Sequence, residues 1–200
     1  MSRVGLLGGT FDPPHDGHLR LAELAQEHLS LDALRFVPAA RSPHKDPGGS
    51  PAGVREHLLR LALGGRPWSV ETAEIARGGA SYTVDTLETL TATEPGNAWI
   101  LLLGFDQATQ LPRWHRLARI WELASVAVAR RPGQEGELPP DVLARLAPVW
   151  SGVAGELVLL PSTGLDLSSS ALRERLARGE TPAGVPPQVL AAIRAENLYR

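Results

Sequence analysis

Cysteine is absent from these 200 residues, which excludes disulfides, thiolate metal sites and a cysteine nucleophile. Net charge is nearly absent too. Twenty Lys and Arg against 22 Asp and Glu leave a formal charge of −2, and the pI is about 6.3. So small an imbalance carries neither the basic footprint of a nucleic-acid binder nor an attraction to acidic membrane surfaces. Long apolar runs are missing: none approaches the ~20 residues of a membrane span. The N-terminus lacks the apolar core and cleavage site of a signal peptide. The expectation is a soluble cytoplasmic protein with no membrane and no nucleic-acid partner. What is present is ordinary for a globular chain, 43% hydrophobic and 21% charged, enough for one sizeable core.

One stretch organises the rest: Gly8-Gly9-Thr10-Phe11-Asp12-Pro13-Pro14-His15-Asp16-Gly17-His18. It follows the apolar run Val4 to Leu7 and leads into the amphipathic run Leu19 to Leu29, so it reads as strand, glycine-rich turn and helix N-terminus. Two glycines remove the Cβ atoms that would hold a ligand off the backbone. Free N–H groups and the helix dipole favour a bound phosphate there. His15 and His18, three apart, can both turn toward one anion. The stretch lacks the G-K-[ST] of a Walker A loop, and it is not G-x-G-x-x-G. Phosphoryl or nucleotidyl transfer suits it, because such chemistry gains most from positioning and from donors aimed at phosphate oxygens. The competing reading is a turn with two capping or surface histidines.

Strand-like and helix-like runs alternate beyond it. Strands are expected at Leu34–Val37, Trp68–Val70, Trp99–Leu103, Val126–Val128 and Leu157–Leu160. Helices are expected at Val54–Leu63, Thr83–Leu90, Ile120–Leu123, Asp141–Leu146, Ser170–Ala177 and Gln188–Glu196. Between them, Arg41 to Ala52 is a polar Pro/Gly loop and Gln134 to Gly155 is the least patterned region. The alternation predicts a Rossmann-like α/β fold: a doubly wound, mostly parallel sheet with helices on both faces and a small C-terminal helical segment. The chain 1–200 reads as a single domain, with the helical part at about 168–200. Ligands of such sheets bind beyond the carboxyl ends of the strands, at the switch point. Three motifs follow predicted strands: Gly8 to His18, Gly104-Phe105-Asp106, and Leu167-Ser168-Ser169-Ser170-Ala171-Leu172-Arg173. The serines can cap a helix or hold phosphate oxygens, and Arg173 offers a forked donor one turn in. An Asp after an apolar strand can accept from ribose hydroxyls or cap the next helix.

The pattern G-G-T-F-D-P-x-H-x-G-H resembles the signature of the bacterial nicotinate-nucleotide adenylyltransferases, members of the H-x-G-H nucleotidyltransferase superfamily. Further segments resemble that family in order. Leu167 to Arg173 is similar to its I-S-S-T-x-I-R, with Leu167, Ser170 and Leu172 as mild replacements. Gly104-Phe105-Asp106 is similar to its G-x-D, with Phe105 where a small residue is frequent. Ser81-Tyr82-Thr83 and Leu111-Pro112-Arg113-Trp114-His115 resemble the segments lining the mononucleotide site, with His115 where Tyr is frequent. His44-Lys45 resembles a P-P-H-[KR] loop in which Ser42 replaces the first Pro. Arg130-Arg131-Pro132-Gly133 and the ending Val185-Pro186 to Leu198-Tyr199 also fit.

The resemblance implies transfer of AMP from ATP to nicotinate mononucleotide, giving deamido-NAD and pyrophosphate without a covalent enzyme intermediate. It implies catalytic roles for His15, His18 and Arg173. ATP would be bound by Gly8, Gly9, Thr10, Phe11, His15, His18, Gly104, Asp106, Arg131, Ser168, Ser169 and Arg173. The acceptor would be bound by Thr10, His44, Lys45, Ser81, Tyr82, Thr83, Trp114 and His115. Mg²⁺ would arrive with ATP, so no dedicated protein metal ligands are expected. Arg113, His115 and Arg116, with no Asp or Glu between Gln107 and Ile120, suggest a site for the acid rather than the amide; Asp85 is the one carboxylate close in sequence to the Tyr82 segment. Two rivals remain at this point. One is an adenylyl- or cytidylyltransferase with another acceptor, such as phosphopantetheine, against which the S-Y-T and L-P-x-W segments stand. The other is a nucleotide-binding regulatory module without turnover. An aminoacyl-tRNA synthetase reading of H-x-G-H lacks its K-M-S-K-like loop.

Overall fold

In the computed structural model the described residues are 1–41, 49–133, 136–150 and 155–200, the last three residues of 136–150 by backbone alone. The apolar run after Met1 forms β1 (Ser2–Gly9), whose central residues Val4 to Leu7 are buried. It is followed by α1 (Asp16–Leu29), β2 (Ala33–Pro38), α2 (Ala52–Leu63) and the short β3 (Ser69–Val70). After α3 (Ala73–Arg77) and α4 (Thr83–Thr93) comes β4 (Asn97–Gly104). Next are α5 (Phe105–Ala108), a 3₁₀ turn at Leu111–Arg113, α6 (Leu117–Leu123) and β5 (Ala124–Arg130). The chain closes with α7 (Pro140–Trp150), β6 (Leu157–Ser162), α8 (Ser169–Ala177) and α9 (Pro187–Ala195).

The strands form one sheet in the order β3-β2-β1-β4-β5-β6, and every pairing is parallel. Central strands must then be apolar on both sides, and the continuous run Trp99 to Leu103 is so because alternate residues enter opposite cores. Trp99, Leu101 and Leu103 pack with Val84, Leu87, Ile120 and Trp121 of α4 and α6. Ile100 and Leu102 pack with Leu21, Ala22, Ala25 and Leu59 of α1 and α2. A third cluster joins α2 to the C-terminal helices through Leu58, Ala62, Leu172, Val189 and Ile193. The strand order reverses between β1 and β4, and the carboxyl ends of those two strands are Gly9 and Gly104.

Three short elements were not expected from sequence: α3, α5 and the 3₁₀ turn. Each is five residues or fewer, too short for helical periodicity to register. Helix α7 runs four residues beyond the expected Leu146. Among the described residues no helix is long and apolar enough to cross a membrane.

Candidate active site

A cavity of about 320 Å³ opens over the carboxyl ends of β1, β4 and β5. Its floor is Gly8 and Gly9, and the two glycines serve different ends. A Cβ on Gly8 would meet nothing within 4 Å, so that backbone faces open space. A Cβ on Gly9 would stand 2.9 Å from the ring of Phe11. Phe11 is 1% exposed and takes a left-handed backbone, φ +52°, a conformation costing a non-glycine residue about 1–2 kcal/mol. Its ring packs edge-on to His18 at 4.9 Å between centroids and against Phe36 at 5.7 Å. Phe11 thus contributes its side chain to the core, where it supports the histidine.

His15 is the N-cap of α1 and His18 its third residue. The two rings stack at 3.7 Å, 26° from parallel, and both line the cavity. The intervening Gly17 is needed for this. A Cβ there would sit 3.0 Å from His15 Nδ1 and 3.1 Å from Cε1. The backbone N–H of His15 donates to His18 Nδ1 at 3.2 Å, which assigns the neutral His18 ring its proton on Nε2. Donors and the positive end of the α1 dipole therefore converge on one wall.

Beside this wall lies the start of α8. Ser168 is its N-cap and accepts from the Ala171 N–H at 3.2 Å. Ser169 donates to the Pro13 carbonyl at 3.0 Å. Both line the cavity. Arg173 lies behind the turn, where Nη1 donates to the Asp12 carbonyl at 2.6 Å and Nη2 to Ser170 Oγ at 3.4 Å. At the β4 end, Gly104 lines the cavity and is the N-cap of α5. Asp106 is half exposed and paired with Arg131 at 2.7 Å, while Arg131 also reaches Asp166 at 3.4 Å.

The far end is aromatic. Tyr82 caps α4, and its ring stands 4.8 Å from that of His115. Trp114 packs partly into the core and lines the cavity, with its indole Nε1 buried and without a hydrogen-bond partner among the described residues. Trp114 thus serves core and cavity at once. Ser81 Oγ accepts from the Ala40 N–H at 2.9 Å, and the Ser81 N–H donates to the Arg41 carbonyl at 2.9 Å. These bonds tie the start of the polar loop to the start of α4. Thr10 and Thr83 also line the cavity. His44 and Lys45 lie outside the described residues.

The cationic cluster around Trp114 is not arranged as the sequence suggested. Arg116 makes a two-pronged pair with Glu88 of α4, at 2.7 and 3.0 Å, and Arg119 joins at 3.1 Å. The hydrogen bonds from Arg116 and then Arg119 hold the Glu88 carboxyl below its usual range. Arg113 faces a separate shallow depression with Asp141 and Arg145. Of Arg113, His115 and Arg116 only His115 lines the cavity. The absence of acids between Gln107 and Ile120 was true of the segment but not of its surroundings, because α4 supplies one across the α4–α6 contact.

Several lining residues were given no binding role in the sequence reading. Gln107, Arg130 and Leu167 each neighbour a residue that was, a signal that could have included them. Glu74 in α3 is another, 7% exposed, which accepts from Thr86 Oγ at 2.8 Å, while Arg77 donates to the same hydroxyl at 3.2 Å. Nothing in a five-residue helix announced a carboxylate in the cleft.

Against known proteins, residues 6–175 match a family model described as cytidylyltransferase-like. A protein of Methylibium petroleiphilum named probable nicotinate-nucleotide adenylyltransferase is 37% identical over 99% of this chain and 90% of its own length. One of the same name from Laribacter hongkongensis is 41% identical over 98% and 94%. The fold is similar to that of Plasmodium falciparum nicotinic acid mononucleotide adenylyltransferase complexed with NaAD. That similarity has a TM-score of 0.78 at 15% identity, over 100% of this chain and 98% of the other.

Proposed function

This chain belongs to the nicotinate-nucleotide adenylyltransferases of the cytidylyltransferase-like family, and from that premise we propose that it transfers AMP from ATP to nicotinate mononucleotide. The products are deamido-NAD and pyrophosphate. The observation that carries the reading is a single cleft with two chemistries. Stacked His15 and His18 sit over an open glycine backbone at one end, and Tyr82, Trp114 and His115 form an aromatic wall at the other.

In the reaction a phosphate oxygen of the mononucleotide attacks the α-phosphorus of ATP in line. The new P–O bond forms as the bond to the β-phosphate oxygen breaks, and pyrophosphate leaves with that electron pair. Charge gathers on the α-phosphoryl oxygens and on the leaving group. His18 donates to the α-phosphate and His15 to its neighbours, with the Gly8–Phe11 backbone and the α1 N-terminus beneath. Ser168, Ser169 and Arg173 take the leaving pyrophosphate. Ser169 and Arg173 already bind the carbonyls of Pro13 and Asp12, so ATP exchanges these partners rather than finding idle donors. Gly104, Asp106 and Arg131 border the ribose and adenine. Trp114 stacks on the pyridine, and Ser81, Tyr82, Thr83, Thr10 and His115 surround it; His44 and Lys45 are acceptor-side residues by the family resemblance alone.

The donor set suits a Mg²⁺ carried in by ATP. Among the described residues no three His, Asp or Glu side chains form a cage. Asp12 is engaged by Tyr199 and Ser50, and Asp106 by Arg131. Phosphate oxygens and water would hold the ion, which would neutralise charge on the triphosphate. Pyrophosphate release, assayed with ATP and nicotinate mononucleotide, tests the reading; no release above the ATP-only rate would sink it.

A further inference from the structure

Behind the phosphate turn lies a buried knot of side chains, none of which lines the cleft. Asp12 is 2% exposed. Its Oδ1 accepts from the Tyr199 hydroxyl at 2.6 Å and its Oδ2 from the Ser50 N–H at 3.1 Å. The Arg173 guanidinium stands 3.9 Å from Oδ2. Arg55, 3% exposed, spends its donors on main-chain carbonyls: Nη1 on Thr10 at 2.7 Å, Nη2 on Ala39 and Ala40 at 2.7 and 2.9 Å, and Nε on Ser50 at 2.9 Å. A buried cation and a buried anion thus clamp the turn from both sides of Phe11. Each is expensive to bury and is tolerated only when its bonding is complete.

What these bonds fix is backbone direction. Arg55 binds the carbonyl of Thr10, Arg173 that of Asp12 and Ser169 that of Pro13. Fixing a carbonyl fixes the orientation of the whole peptide plane that follows it. Without ATP three peptide planes of the turn between Gly9 and His15 are set from behind; once ATP has taken Ser169 and Arg173, the Arg55 bond still sets the Thr10–Phe11 plane, and Asp12 stays tied to Tyr199 and Ser50. Tyr199 links this to the C-terminal helices, since it packs against the cluster of Leu58, Leu172, Val189 and Ile193. Burial, and then its bond to Asp12, push the Tyr199 phenol well above its ordinary value, so it donates throughout the working pH range.

We propose that Asp12, Arg55 and Tyr199 are positioning residues for adenylyl transfer, holding the turn so that the Phe11 N–H and the His15–His18 pair face the α-phosphate as charge develops there. Tyr199, next to the last residue, makes catalysis depend on the C-terminal helical segment. The inference rests on the adenylyl-transfer reading above.

Tyr199→Phe tests it with little disturbance, because the ring packing is kept and one hydroxyl is lost. Misplaced catalytic groups lower turnover more than binding, so kcat should fall about tenfold. The KM for the mononucleotide and the calorimetric affinity for a non-hydrolysable ATP analogue should stay within about twofold. Asp12→Asn keeps an acceptor for Tyr199 but removes the charge facing Arg55 and Arg173, and should cost about a hundredfold in kcat. If the knot were only structural, Tyr199→Phe would lower Tm while leaving kcat unchanged below the transition, and that result overturns the proposal. A loss confined to the KM for the mononucleotide overturns it too. Should Asp12→Asn not fold, Tyr199→Phe decides, together with removal of Tyr199 and Arg200, which should reproduce the kcat loss. Failure of the underlying reading looks different: the unmutated protein then releases no pyrophosphate with nicotinate mononucleotide.

Discussion

At one end of the cleft a contiguous stretch, Gly8 to His18, supplies the glycine floor, both histidines and the helix N-terminus. At the other, Glu74, Ser81 to Thr83, and Trp114 to His115 come from three separate elements. At the phosphate end local spacing alone aligns the donors: Gly17 makes room for the His15 ring, and the α1 geometry stacks it on His18. At the acceptor end each charge depends on what the fold brings beside it. Glu88 claims Arg116, and Arg113 faces away. Catalysis of phosphate transfer should therefore be concentrated in a few residues, whereas choice of acceptor should be spread over several.

His18→Ala gives the largest effect that this contrast predicts. Losing one donor aimed at developing charge costs about 10²–10³ in kcat, with ATP affinity much less changed. A near-normal kcat would move the chemistry away from the turn. Arg173→Lys comes next. A point charge cannot make both the Nη1 bond to Asp12 and the Nη2 bond to Ser170, nor later a forked hold on phosphate. At least about a tenfold loss in kcat/KM for ATP is expected, and unchanged ATP kinetics would leave Arg173 only an anchor of the turn. Trp114→Ala should weaken acid and amide mononucleotides alike, by about fivefold for a stacking loss near 1 kcal/mol, with their ratio largely kept. A changed ratio would make the indole a selector rather than a platform.

Glu74→Gln sharpens the comparison further. The amide still accepts from Thr86, but a fixed negative charge leaves the cleft. The acid-to-amide ratio should rise by about fivefold, as expected for removing roughly 1 kcal/mol of repulsion. A falling ratio would show that the carboxylate serves the acid. The smallest change is expected for Arg116→Ala. Its charge is already matched by Glu88 at an exposed site, where such pairs contribute little, so kcat/KM for the acid should stay within about twofold. A large drop would restore Arg116 to the binding site.

How much could be read in advance follows the same division. The β1–turn–α1 unit was legible because its apolar run, glycines and histidines are adjacent in sequence, and the β-α alternation was enough for the parallel sheet. Continuous burial of Trp99 to Leu103 was legible because a strand covered on both faces shows no alternation. Glu88 against Arg116, and Glu74 under Thr86, were not legible, since each contact joins elements whose packing no local pattern records. The Arg55 clamp was hidden for the same reason. In sequence it is one arginine on an amphipathic helix, and only the fold turns it inward to Thr10, Ala39 and Ala40.

The most direct measurement sets ATP against a panel of acceptors: nicotinate mononucleotide, nicotinamide mononucleotide and 4′-phosphopantetheine, with kcat/KM taken from pyrophosphate release. His115, which is exposed, and the N-terminal end of α4 line the acceptor end of the cleft, and in the proposed pose each hydrogen bond to a carboxylate would be worth about 1 kcal/mol more than one to a neutral carboxamide. Nicotinate mononucleotide should lead the amide by at least about tenfold, since ~1.4 kcal/mol suffices for that, and phosphopantetheine should give no release above the ATP-only rate. Equal values for the acid and the amide, or faster turnover of phosphopantetheine, would contradict the assignment.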